Sequence, residues 1–125
     1  MTTFSDAEAD FLAEAKLARF ATVDPDGYPH VVPVGFRIDH ANSVIDIGGR
    51  ELASTQKFRN VASAGGSAAK VGVVIDDVRP PWRPRCVMVR GLARIVEWEG
   101  SPVIRITPEK IVSWGLDDAS SGDVV

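Results

Sequence analysis

Cysteine occurs once in this sequence, at Cys86, and histidine twice, at His30 and His40. A lone cysteine can neither close an intrachain disulfide nor build a cysteine-based zinc site. Two histidines and scattered carboxylates make a poor ligand set, so no metal is expected. With Val87, Met88 and Val89 beside it, Cys86 reads as a buried strand thiol. No apolar run approaches the roughly 20 residues of a membrane helix. The opening MTTFSDAEADFLAEAK is acidic and lacks the basic, apolar and small-residue parts of a secretory leader, so a cytoplasmic protein is expected. A Walker loop, G-x-S-x-G and H-E-x-x-H are all missing, and GGR at 48–50 lacks the spacing of a dinucleotide fingerprint. A broad basic surface is missing too. The formal net charge is −3 and the isoelectric point about 5.3, which weighs against nucleic acid as a partner.

What is present suits one compact domain. The chain has 125 residues, 45% hydrophobic and 25% charged, enough for a real core and too few for two. The domain is expected over 1–116, with DDASSGDVV, 117–125, as a loose tail. Ser5 followed by Glu8 has capping-box spacing, and Phe4 sits where a hydrophobic staple begins, which predicts a short helix burying Phe11, Leu12 and Ala15. Beyond Leu17, β-branched and aromatic runs alternate with DPDG and DHAN, predicting strands near 18–23, 29–38 and 43–48. ELASTQKFRNVAS reads as a helix that ends before AGGSA. AKVGVVIDDV and RCVMVRGLARIVEW are two further strands, in which Gly72 and Gly91 mark bulges or close approaches. A sixth strand near VIRI leads into TPEKIVSWGL, where Thr107 and Pro108 suit a helix cap and first turn. The order is a mainly β fold: a six-stranded antiparallel barrel with small helices at its mouths.

Three stretches carry candidate chemistry. On one continuous helix, Arg50, Ser54 and Lys57 fall within roughly 60° of each other while Arg59 points the other way. That face reads either as solvated, with Glu51 as a local partner, or as a seat for a phosphate or carboxylate. In PHVVPVGF, Pro33 removes a ladder donor, which suits a protected edge strand or a place where unpaired backbone beside Pro33 and Val34 meets a flat ring. DDVRPPWRPR, 76–85, reads as a stiff connector with polyproline character, or as a lid whose Arg79, Arg83 and Arg85 hold an anion. Trp114 packs in the core, over a barrel mouth, or on a partner subunit.

In their order, RFATVDPDGYPHVVPVGFRID, STQKFRNV, KVGVVIDDV and VMVRGLARIVE resemble the pyridoxamine-phosphate-oxidase-like split-barrel proteins that bind flavin or deazaflavin. The segment PEKIVSWG is similar to one found in a subgroup of the actinobacterial F420-dependent branch. The resemblance, over residues 8 to 116, implies a six-stranded split β-barrel of the FMN-binding type, forming a homodimer with cofactor sites between subunits. It implies that Lys57 meets the cofactor phosphate, with Arg50, Ser54 and Gln56 as neighbours, and that Val32, Pro33 and Val34 lie along the ring. The GGR turn departs from the threonine- or serine-rich turn common in the family. Coenzyme F420 carries lactate and glutamates that FMN lacks and asks for more positive charge, which Arg79, Arg83 and Arg85 would supply. The expected function is F420-dependent hydride transfer to an electron-poor organic small molecule, with Tyr28 or His30 as nominees for a proton donor. An FMN-dependent oxidase or reductase and a non-catalytic cofactor binder are the alternatives.

Overall fold

The computed structural model describes residues 2–116; the expected tail at 117–125 lies outside them. The first helix, α1 (Asp6–Glu14), begins as its sequence demands. The Glu8 N–H donates to Ser5 Oγ at 3.2 Å and the Ser5 N–H donates to Glu8 Oε1 at 2.8 Å, closing the capping box. Phe11 and Leu12 enter the core, and Phe4 packs against it.

Seven strands follow: β1 (Ala18–Val23), β2 (Pro29–Val34), β3 (Arg37–Asp39), β4 (Val44–Ile47), β5 (Ala69–Arg79), β6 (Arg83–Trp98) and β7 (Ser101–Trp114). They form one sheet in the order β2-β1-β5-β6-β7-β4-β3, with every neighbouring pair antiparallel. The expected count of six is corrected to seven because the run 29–38 is two strands. It breaks at Gly35 and Phe36, and its halves lie at opposite edges of the sheet. Three peptide units span at most about 11 Å, so the sheet has to curl until its edges nearly meet. Among the described residues those edges do not pair, leaving a seam.

Inside the curl, rungs of apolar side chains run across the strands. Val32, Phe20, Val73, Val89 and Ile111 form one rung, and Ile38, Ile45, Ile106 and Ala93 another. β6 serves both because it is 16 residues long and has a register shift at Arg90/Gly91. A Cβ on Gly91 would sit 2.5 Å from the Thr107 carbonyl oxygen, which is the close approach its position foretold. Gly72 meets only ordinary contacts.

Two helical expectations are corrected. TPEKIVSWGL continues β7: its partner β6 offers a full ladder, and Pro108, which lacks an N–H, sits opposite Gly91 at the register shift. The helix expected from Glu51 is divided. Leu52–Ser54 is a single 3-10 turn, Thr55 is extended (φ −91°, ψ 156°), and α2 spans only Gln56–Ala62, with the Phe58 N–H donating to Thr55 Oγ1 at 3.3 Å. Among the described residues no helix is long and apolar enough to cross a membrane.

Candidate active site

The pairing of β3 with β4 sets Arg37 opposite Asp46, so the residues before the one and after the other run side by side. Gly35 and Phe36 thereby join Gly48 and Gly49 around a cleft of about 370 Å³, whose other walls are Trp98 and Val103. Val34 immediately precedes this cleft in the chain and Arg50 immediately follows it. The other expected contact residues, Val32, Pro33, Ser54, Gln56 and Lys57, do not line the cleft, and neither do Val34 and Arg50 themselves.

The cleft holds an ion cluster that the sequence reading missed. Asp46 is 3% exposed. It accepts from Arg105 Nε and Nη2, both at 2.9 Å, and from Arg37 Nη2. The guanidinium of Arg37 lies 4.1 Å from the centroid of the Trp98 ring. The hydrogen bond to Asp46 raises Arg105 above the ordinary guanidinium range. The signal was there in FRIDHANSVIDIGG, where a hairpin turn sets an arginine and an aspartate on apolar strands in register.

Along 50–57, Arg50 is exposed in the turn before Leu52, and Ser54 ends the 3-10 turn. Gln56 and Lys57 begin α2 and are partly buried. The break at Thr55 means that Arg50, Ser54 and Lys57 share no helical face. Among the described residues Arg50 and Lys57 form no ion pair. Arg59 is engaged locally, donating to the Ser54 carbonyl at 2.8 Å and to Gln56 Oε1 at 2.9 Å. Gln56 Nε2 in turn donates to Asn60 Oδ1 at 2.6 Å.

β2 is an edge strand, so alternate backbone groups face away from β1. Val32 and Val34 direct their side chains to the core, whereas Pro33 is exposed. His30 lies on the core side opposite Thr22, and its Nδ1 is buried without a hydrogen-bond partner. Tyr28 is 72% exposed in the β1–β2 turn, its N–H donating to Asp24 Oδ1 at 2.9 Å.

The segment 76–85 is neither a polyproline connector nor a loop: it is the outer part of the β5–β6 hairpin, with Arg79 paired in register with Arg83. Arg85 is buried. Its Nε donates to Asp77 Oδ1 at 2.8 Å, its Nη2 donates to Oδ2 and lies 3.8 Å from Glu14, and its guanidinium is 4.8 Å from the Phe11 ring centroid. Within one chain these arginines are not brought to the cleft. Ile47 at the cleft end is level with Ile104 and Ile95, twelve positions along β6 from Arg83, or about 40 Å of strand if straight. Cys86 is buried, and burial, with Asp76 nearby, pushes its thiol up to about 11. A second cleft of about 470 Å³, between α2 and β6, is lined by Phe58, Val61, Arg94 and Ile95 among others and touches none of the expected residues.

These residues fit a flavin-type cofactor. An edge strand with outward backbone groups suits a heterocyclic ring, the orphaned His30 nitrogen is a ready partner for a polar atom, and Arg50 and Lys57 suit a phosphate.

Comparison with known proteins agrees. The chain is 38% identical to the 5a,11a-dehydrotetracycline/5a,11a-dehydrooxytetracycline reductase of Streptomyces rimosus over 130 aligned residues, covering 95% of this chain and 89% of that protein. Its fold resembles that of a FAD binding protein from Mycobacterium smegmatis, with a TM-score of 0.67 at 25% identity over 90% of this chain and 94% of that one. It also resembles General Stress Protein 26 from Bacillus anthracis, with a TM-score of 0.68 at 17% identity over 92% and 95% of the two chains. The family model for pyridoxamine 5'-phosphate oxidase matches residues 4–114, nearly the whole chain. This chain therefore belongs to the pyridoxamine 5'-phosphate oxidase family, a family of flavin-dependent oxidoreductases.

Proposed function

We propose that this protein is a cytoplasmic F420-dependent reductase, a split-barrel homodimer that passes a hydride to an electron-poor, conjugated organic small molecule. What supports the reading is membership of a flavin-dependent oxidoreductase family together with 38% identity to a named reductase, with Val34 and Arg50 adjoining one cleft in the chain. Bound reduced deazaflavin supplies the hydride from its C5.

The chain's own residues bind, orient and shield. Lys57 holds the phosphate, with Arg50, Ser54 and Gln56 beside it. Val32 to Val34 offer backbone to the ring, since the valine side chains are committed to the core. His30 Nδ1 is the nominee for holding the proton that completes the reduction, ahead of the exposed Tyr28. A second copy covers the apolar outer face around Val23, Val31 and Tyr28, which are 52%, 63% and 72% exposed. Arg79 and Arg83 then reach a cofactor only from the partner subunit's hairpin, and Arg85 secures the base of that hairpin on α1.

The similarity to a FAD binding protein favours one second reading, a flavin enzyme using FMN at the same site. Mixing the protein with reduced F420 or reduced FMN and a panel of conjugated carbonyl acceptors separates the two. Oxidation of F420 that depends on both acceptor and protein supports the first reading, and turnover with FMN alone replaces it with the second.

A further inference from the structure

The cleft is lined by one cation, Arg37, and one carboxylate, Asp46, which is already engaged. Both oxygens of Asp46 are occupied, by Arg105 with two hydrogen bonds and by Arg37 with one. Asp39, two residues from Arg37, lies close enough to both guanidiniums to act on them as a second carboxylate, so what a ligand in the cleft meets is the Arg37 guanidinium itself and not a surplus of charge. Arg37 donates only through Nη2 among the described residues, leaving Nε and Nη1 for a ligand. Being flanked by Asp46 and Trp98, this guanidinium is held in place before any ligand arrives.

The shape of the cleft is equally specific. Trp98 is 40% exposed, and the stack of Arg37 on its ring makes a flat wall. Gly35, Gly48 and Gly49 add bare backbone to the lining, while Phe36 and Val103 supply apolar surface. A cleft of about 370 Å³ lies within the range of small-molecule sites, roughly 300–1,000 Å³.

We infer that this cleft binds flat, conjugated organic anions of the fused-ring carboxylate or enolate type, with Arg37 as the anion contact and Trp98 as the stacking wall. Resting on the reading given above, such a molecule is the hydride acceptor, seated between the strand that offers backbone to the cofactor ring and the turn that leads to Lys57. The choice of anion follows from Arg37, and the choice of a planar ring follows from Trp98 and the glycine wall.

The test is calorimetric titration of the full chain, without cofactor, with 3-hydroxy-2-naphthoate and with its neutral methyl ester. The acid is expected to bind about tenfold or more tightly than the ester, as a charge-assisted bond requires. Arg37→Ala removes that preference. Gly35→Leu, placed where a Cβ meets nothing within 4 Å, weakens both ligands without disturbing the ion cluster and guards against a folding artefact. Equal binding of acid and ester, or an unchanged preference in Arg37→Ala, overturns the inference. If the acid preference holds and neither cofactor binds, the cleft stands and the reductase reading falls; if cofactor binds and the preference is absent, only the cleft assignment falls.

Discussion

Asn60 donates from Nδ2 to Thr22 Oγ1 at 2.9 Å across 38 residues of chain, tying α2 to β1. Both residues are buried, at 4% and 2% exposure. Arg59 can only donate, so the chain of bonds through Gln56 and Asn60 has one direction: Gln56 Oε1 and Asn60 Oδ1 accept, and their amide nitrogens pass donation inward. The orientation of the helix that carries Lys57 rests on this chain.

Asn60→Ala leaves the Thr22 hydroxyl and the Gln56 amide without their partner in a buried setting. The expected loss is about 1–3 kcal/mol of stability, read from the shift of the urea unfolding midpoint at constant slope. A double-mutant cycle with Thr22→Val should show coupling, because the two residues share one bond.

Acid weakens the hairpin base. The hydrogen bond from Arg85 holds Asp77 below the usual carboxylate range. A carboxylate whose folded pKa is depressed contributes stability above its unfolded value of about 3.9 and loses it as pH falls through the folded value. The Asp77 side chain is 46% exposed, so solvent screens much of the effect. Asp77→Asn should therefore flatten the acid limb of the stability profile slightly, most visibly below about pH 4, and lower stability modestly at neutral pH.

Cys86 should resist thiol reagents in the folded protein. Its thiol is pushed up to about 11 by burial and by Asp76, so almost no thiolate exists near neutrality. Ellman's reagent is expected to react only as fast as the chain unfolds, and in urea to release one equivalent.

Several elements were legible because their signals are local. Ser5 and Glu8 announce α1, DPDG and DHAN announce their turns, and β5 and β6 stand in their apolar runs. Where the reading failed, a distant partner decided. Thr107 and Pro108 carry a helix-start signature, yet β6 offered a ladder along the whole of β7, with a register shift to accommodate the proline. PHVVPVGFRID reads as one strand, and nothing local says that Gly35 and Phe36 carry the chain from one sheet edge to the other. Thr55 looked like a helix interior residue and is a cap. The ion cluster of the cleft has the same cause. The cluster of Arg37, Asp46, Trp98 and Arg105 could not be named from the sequence, because it comes from strands that only the sheet assembles.

The most direct test of the central claim is a titration of the purified protein with oxidised F420 and, separately, FMN, followed by tryptophan quenching and repeated with Lys57→Ala. The account predicts that F420 binds at micromolar concentration or tighter, that FMN binds more weakly, and that Lys57→Ala weakens F420 about tenfold or more through loss of a charged phosphate contact. F420 affinity unchanged by Lys57→Ala, or no binding of F420 at all, would contradict it.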